Sequence, residues 1–141
     1  MLSQIQLIDL KINDNKGGNL IALEEGRNLP FDVKRVYYIF GTEKDIVRGR
    51  HAHKKLKQLL ICVSGSCVID TEDSNRNCQS WQMDKPDQGL LVEGLVWREM
   101  RDFSKDAVLL VLADNLYCEK DYIRDYEEFQ FLQVIQPEHV G

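Results

Sequence analysis

No apolar window in this chain approaches the roughly 20 residues that a membrane-spanning helix needs. No segment repeats, and no linker-like stretch divides the chain. Its 141 residues therefore read as one domain, long enough to bury a core without disulfides or metal. There is no basic excess either. The net charge of -5 argues against nonspecific nucleic-acid binding, which wants a cationic face, but local cations can still hold a small anion. Cys62, Cys67, Cys78 and Cys118 form no Cys-x-x-Cys pair, so free thiols in a reducing compartment are expected rather than zinc or disulfides. The first ten residues lack a basic region followed by a long apolar stretch, which excludes a signal peptide and makes a cytoplasmic protein the expectation.

What the chain does have is short apolar runs of period two. Ile5 to Ile12 alternates, Val33 to Phe40 is β-branched and aromatic, and Leu56 to Val63 ends at Ser64-Gly65-Ser66 and returns through Cys67 to Asp70. Gly89 to Val92, Val96 to Met100 and Val108 to Ala113 add three more strands, and Leu20 to Leu23 is extended. Asn13 to Asn19 reads as a turn cluster, and Glu72 to Asn77 as a polar hairpin tip. Many short strands with frequent turns predict an all-β barrel or sandwich. Only the end differs: Tyr122, Tyr126, Phe129 and Leu132 recur at helical spacing and predict a helix over 121–134.

Histidine is scarce, and two of the three stand one residue apart in Arg48-Gly49-Arg50-His51-Ala52-His53. In an extended run His51 and His53 project to one face. Paired imidazoles bind a metal or move protons near neutral pH. Gln58 follows His53 by five residues, and Gly65 comes after six more. This spacing resembles the first motif of the cupin superfamily, with Gln58 in place of the usual acid. Val92-Glu93-Gly94-Leu95-Val96-Trp97 is similar to the second motif, with Trp97 where the third histidine ligand would stand. A neutral amide is a poor ligand and an indole is none, so no metal is expected.

The likeness extends along the chain. Pro30 to Ile39, Arg48-Gly49-x-His51-Ala52-His53-Lys54-Lys55 with Gln58, Val96-Trp97-Arg98-Glu99-Met100 with Asp102-Phe103, and Asp121-Tyr122-Ile123-Arg124 together resemble the dTDP-4-dehydro-6-deoxyglucose 3,4-ketoisomerases. These are sugar-nucleotide cupins of 3-amino-3,6-dideoxysugar synthesis, which feeds O-antigen, lipopolysaccharide or S-layer glycans. The resemblance implies a double-stranded β-helix (a jelly-roll barrel) with a short C-terminal helix, occupying residues 1–141 as a single cupin domain. It implies a homodimer that exchanges its N-terminal strand, dTDP-4-keto-6-deoxyglucose as substrate, no cofactor, and a product passed to a PLP-dependent 3-aminotransferase. It also implies His51 as the carbon base and His53 as the supporting acid/base.

The chemistry is consistent with those residues. Moving a ketone from C4 to C3 is redox-neutral and proceeds through an enediol. It needs a base near neutral pKa and a donor or cation for the developing enediolate. Tyr37 shares a strand face with Arg35 and is placed in the pocket, and Tyr38 on the other face. Arg48, Lys55 and Arg98 are candidates for the diphosphate and sugar, with Arg35 and Gln58 as further substrate contacts. Trp97 either stacks on substrate or fills the barrel. Arg50 sits at a variable place in the motif, Lys54 and Lys57 read as a solvated turn, and His139 as exposed and idle.

Gly17 and Gly18, in Lys16-Gly17-Gly18-Asn19-Leu20, stand where related enzymes carry residues that distinguish the product. Gly18 is similar to galacto-forming members, whereas Gly17 stands where those tend to place arginine. Two histidines on one face also favour the galacto product, by returning the proton from the side it left. The rival readings are a dTDP-sugar 3,5-epimerase, which would carry a catalytic histidine outside this pair, and a non-catalytic sugar-nucleotide-binding cupin.

Overall fold

The computed structural model describes residues 4–15 and 17–135. Two antiparallel five-stranded sheets face each other as a barrel open at its seam. One sheet has the order β1 (Ile5–Asp9), β9 (Gln88–Glu93), β6 (Lys57–Ser64), β11 (Val108–Ala113), β4 (Arg35–Phe40). The other runs β12 (Tyr122–Ile123), β5 (Arg48–His53), β10 (Trp97–Arg101), β7 (Cys67–Glu72), β8 (Cys78–Met83). β1 lies on β9 of its own chain, with Ile5 opposite Val92. This is the cupin architecture that the sequence predicts.

Three apolar clusters hold the layers. Leu60, Cys62, Ile69, Met83, Met100, Leu109 and Val111 fill the interior between the sheets. Leu10, Leu29 and Phe31, from the irregular segment before β4, cover the outer face of the first sheet over Leu59, Ile61, Leu91 and Leu112. β6 is therefore buried on both faces, which is why its sequence is a continuous apolar run rather than an alternation. On the second sheet the cover is a helix, whose Phe129 packs on Ala52, Trp97 and Ile123.

That helix, α1, spans Tyr126–Ile135 rather than starting at residue 121. Asp125 stops it from extending further back: its Oδ1 accepts the Glu127 N–H at 3.0 Å and its carbonyl accepts the Phe129 N–H. Tyr122 and Ile123 are instead drawn into the sheet, opposite His53 and Ala52 on the otherwise unpaired edge of β5. Backbone pairing at a free sheet edge outweighs the helical spacing of Tyr122 with Tyr126. A short 3₁₀ turn, Glu119–Asp121, precedes this strand.

Two other elements differ from expectation. Asn13 to Asn19 is a β-hairpin, β2 (Asn13–Asn15) with β3 (Gly18–Leu20), turning at Gly17 with φ +81°. β8 is a strand although Cys78 to Met83 carries no apolar alternation; it is an edge strand, mostly exposed, held by pairing to β7 from Cys67 opposite Met83 to Glu72 opposite Cys78. His139 and Lys16 lie outside the described residues. Among those described, no helix is long and apolar enough to cross a membrane.

Candidate active site

A bulge in β5 builds the site. Gly49 and Arg50 both adopt left-handed backbone, φ +83° and +56°. The register with β10 slips there: His51 stands opposite Arg98 and Gly49 opposite Glu99, which leaves Arg50 without a counterpart. Along a regular strand Arg48 and His51, three residues apart, would face opposite ways; the extra residue brings both to the interior side. Glycine is required at 49, because a Cβ there would lie 2.9 Å from Met100 Sδ and 3.1 Å from the Arg98 carbonyl oxygen.

The seam between edge strand β4 and the β5–β12 edge opens as two adjoining cavities. One, of about 370 Å³, is walled by Arg35, Tyr37, Arg48, His51, Tyr122 and Arg124 among others. The second, of about 340 Å³, shares Arg35 and Tyr122 and continues along His53, Lys54, Lys55, Lys120 and Asp121. Tyr122 packs against both imidazoles, with ring centroids 5.0 Å from His51 and 4.3 Å from His53. The Arg35 guanidinium lies 4.6 Å from the centre of the Tyr37 ring and 5.3 Å from that of Tyr117, and Arg124 lies 4.3 Å from that of Tyr122. Arg124 is paired with Glu119, whose Oε1 accepts its Nε–H at 2.8 Å, whereas Arg35, Arg48 and Lys55 have no carboxylate partner among the described residues and make the walls a place that suits a small anion.

The two histidines meet edge to face, with centroids 4.8 Å apart. His53 is buried, and its Nδ1 lies 3.0 Å from Asp121 Oδ2. Neither His51 Nε2 nor His53 Nε2 has a partner among the described residues. Burial first, and the Arg98 charge second, lower the His51 pKa to about 4, against a smaller opposing effect from its hydrogen bond to the Gly49 backbone. The same two causes depress His53 further. A carboxylate beside Nδ1 favours imidazolium, but desolvation with Arg98, His51, Arg35 and Arg124 around the ring outweighs it. Both rings are therefore neutral at pH 7 with one free nitrogen each, and both are weaker bases than the near-neutral one expected from the sequence, because burial disfavours the imidazolium.

Arg98 is the fixed charge of the site. It is buried, donates to Gln58 Oε1 and, at 3.1 Å, to the Val96 carbonyl, and its Nε has no partner among the described residues. Burial lowers its pKa to about 10, which leaves it cationic at neutral pH. Gln58 passes the arrangement on by donating to the Tyr37 hydroxyl at 3.2 Å. With that oxygen already accepting, the Tyr37 proton is directed elsewhere. Burial raises the phenol's pKa, so it is a donor rather than an anion.

The structure thus gathers His51, His53, Tyr37, Arg35, Arg48, Gln58, Arg98 and Lys55 around one seam. Trp97 is different. It neighbours Arg98 on a strand, so it points the opposite way, out of the barrel, against Tyr126 and Phe129 of α1 with its indole N–H on Glu99. It neither stacks in the pocket nor fills the barrel; the residue that projects inward beside the histidines is Arg98. Tied to Tyr37 and Arg98, Gln58 has no free oxygen for a cation, and the buried guanidinium repels one. Gly17 and Gly18 line neither cavity, and a Cβ at either would meet nothing within 4 Å.

Asp121, Tyr122 and Arg124 reach the site although sequence reasoning gave them no role. The available signal was the Asp121-Tyr122-Ile123-Arg124 run itself, but reading it as helix hid its faces.

The family model FdtA (WxcM-like, C-terminal) matches residues 3–134. A curated relative from Aneurinibacillus thermoaerophilus, named TDP-4-oxo-6-deoxy-alpha-D-glucose-3,4-oxoisomerase, is 51% identical over 120 residues, which is 85% of this chain and 85% of that protein. The fold is similar to a mutant of the 3,4-ketoisomerase QdtA from Thermoanaerobacterium thermosaccharolyticum in complex with TDP-4-keto-6-deoxyglucose. That pair has 42% identity and a TM-score of 0.91, over 99% of this chain and 100% of that one. It is also similar to WlaRB, a TDP-quinovose 3,4-ketoisomerase from Campylobacter jejuni, with 44% identity and a TM-score of 0.87 over 92% and 99% of the two chains.

Proposed function

The chain belongs to the FdtA family of sugar-nucleotide 3,4-ketoisomerases, and from that premise we propose that it converts dTDP-4-keto-6-deoxyglucose to a dTDP-3-keto-6-deoxyhexose by histidine acid/base catalysis through an enediol. The observation that carries this reading is the pair of neutral imidazoles, each with an unpartnered Nε2, set beside a buried guanidinium. Together they supply bases for carbon and oxygen and a cation for the charge between.

In the proposed course His51 Nε2 takes the proton from C3. The C3–H electron pair becomes the C3–C4 double bond, and the carbonyl pair moves onto O4. Arg98, through its field, and Tyr37, as donor, stabilise that oxyanion in a partly dry site. His53 carries the O3 proton to O4. The O3 pair then becomes the new carbonyl, and C4 takes the proton back from His51. No electrons leave the substrate, so no cofactor takes part. Arg35, Arg48 and Lys55 face the diphosphate and sugar.

Return of the proton by the same base from the same face gives the galacto epimer, dTDP-3-keto-6-deoxygalactose. Gly17 and Gly18 remain part of this proposal as sites that influence the product. One observation favours the gluco epimer instead: the 44%-identical structure from Campylobacter jejuni is named for TDP-quinovose, a 6-deoxyglucose. The proposal includes a cytoplasmic homodimer in which β1 leaves β9 of its own chain, where it lies in the single chain, for β9 of the partner, and a PLP-dependent 3-aminotransferase consuming the 3-keto product. The exposed apolar row Val36, Tyr38 and Phe40 on edge strand β4 supports the dimer.

The test is incubation with dTDP-4-keto-6-deoxyglucose in deuterated water followed by NMR. Label at C3 and C4 is expected. Label at C5 would make the protein an epimerase, and neither label nor a 3-keto product a binding module. Trapping the product with a 3-aminotransferase and measuring the H3–H4 and H4–H5 couplings decides the epimer, since large values at both mean an axial C4 hydrogen and a gluco product.

A further inference from the structure

Asp121 holds the edge on which His53 stands. Its Oδ2 lies 3.0 Å from His53 Nδ1, its Oδ1 accepts the Lys55 backbone N–H at 3.0 Å, and its own carbonyl accepts the Lys54 N–H at 3.0 Å. The next two residues pair with His53 and Ala52 in the sheet, so main-chain hydrogen bonds keep the carboxylate in register with the imidazole. The His53 side chain is 1% exposed and that of Asp121 20%, which places the contact at the wall of the cavity rather than in open solvent.

The hydrogen-bond inventory then decides the tautomer. Both carboxylate oxygens face donors. The Lys55 amide has no alternative role, and an imidazole nitrogen that faces a carboxylate carries the proton. The His53 proton therefore sits on Nδ1, and the lone pair on Nε2, the atom that is buried without a partner among the described residues. We propose that Asp121 is the positioning residue of this reaction, holding His53 in the Nδ1–H tautomer with its Nε2 lone pair turned to the substrate and stabilising the imidazolium formed while His53 carries the proton from O3 to O4. In that step the O3–H bond breaks as the Nε2–H bond forms, and the Nε2–H bond breaks as O4–H forms, so Asp121 itself never gains a proton. The catalytic half of this inference rests on the isomerase reading above; the tautomer does not.

The decisive variant is Asp121→Asn. An amide offers one acceptor and one donor where the protein presents two donors. The Lys55 amide keeps the oxygen, so the NH₂ faces His53 Nδ1 and pulls the ring into the Nε2–H tautomer, which blocks the working nitrogen. Expected is a kcat loss of about 10²-fold or more with KM changed by no more than about threefold and an unchanged thermal melt. Asp121→Ala imposes no tautomer and should lose less than Asp121→Asn. A carboxylate that only braces the loop predicts the reverse order, and that order would overturn the proposal.

Nitrogen-15 NMR of the substrate-free protein reads the tautomer directly. Nδ1–H is expected in the wild type and Nε2–H in Asp121→Asn. A wild-type ring protonated at Nε2, or a tautomer that Asp121→Asn does not move, overturns the inference whatever the activity. The NMR assay of the wild type in deuterated water is independent: a correct tautomer with neither label at C3 or C4 nor a 3-keto product overturns the isomerase reading, and with it the catalytic half of the role proposed for Asp121.

Discussion

The two halves of the barrel interior are built on the same strands and differ in what their side chains leave unsatisfied. Toward one end Ile39, Cys62, Ile69, Met100 and Leu109 pack without a charged group among them. Toward the other, β4 contributes Arg35 and Tyr37, β6 Gln58, β10 Arg98 and β5 the two histidines, and three of their buried nitrogens find no partner among the described residues. The apolar half stabilises the fold, at about 1.5–3 kcal/mol for each large side chain fully buried. The polar half costs stability, since desolvated groups without partners are unfavourable. Such groups are tolerated where a ligand satisfies them and the surrounding packing keeps them aligned. A substitution should therefore act on rate in one half and on stability in the other.

The largest effect is expected for His51→Asn, which should fold normally and lose kcat by about 10⁴-fold, the upper end for a general acid/base group. A thermal melt together with turnover measurements checks it, and a well-folded variant with a near-normal rate would remove His51 from the mechanism. Leu109→Ala probes the opposite half. With Leu109 fully buried, the loss should be about 3 kcal/mol of unfolding free energy in a urea titration, with kcat of the folded protein within a few-fold of wild type. A rate loss comparable to that of His51→Asn would abolish the division between the halves.

Acid should act on both properties through the same group. His51 titrates near 4 when folded and near 6.5 when unfolded, so unfolding takes up a proton between those values. Stability is therefore level above pH 6.5 and falls as the pH drops toward 4, by about 3 kcal/mol from His51 alone. The difference between wild type and His51→Asn across that range isolates it. Because the base works deprotonated, kcat/KM should stay flat down to about pH 5.5 and fall as His51 protonates. An acid limb centred at 6.5 would show that the site does not hold His51 neutral.

Gly49→Ala lies on the boundary between the halves. A methyl group in left-handed backbone against Met100 should cost about 1–3 kcal/mol, and by straightening the bulge it should lower kcat/KM as well. Unchanged activity in a destabilised variant would separate the bulge from the site. The smallest expected effect is that of chelation, which should leave the rate unchanged, because Gln58 and Arg98 occupy the space beside the histidines that a cation would need.

Much of this was legible from local pattern. Periodicity placed most strands, because alternation along a strand follows from backbone geometry alone. The His51/His53 spacing made them neighbours on one face, and Arg35 with Tyr37 likewise. Leu56 to Val63 was legible as a strand, but that both of its faces are covered emerged only from the packing of the two apolar clusters on it. β8 escaped because only Trp81 and Met83 at its end pack inward while the rest of this edge strand is exposed, which leaves too short an apolar alternation to read, and its pairing partner is set from outside it. Trp97 was misplaced by one position: a motif shows which residues stand near a site, but not which of two adjacent side chains turns inward.

What the amino-acid sequence determined by itself was therefore the barrel class, the histidine pair and the lack of a good metal-ligand set, each read from short local patterns whose own residues lie within a few positions of one another. Tertiary structure decided the rest. It placed Arg48 beside His51 through a bulge that appears only when β5 is paired with β10. It turned Asp121 onto His53, 68 positions away, through a sheet edge that captured Tyr122 and Ile123 from the helix. Both follow from long-range backbone hydrogen bonding, whose register no local pattern encodes.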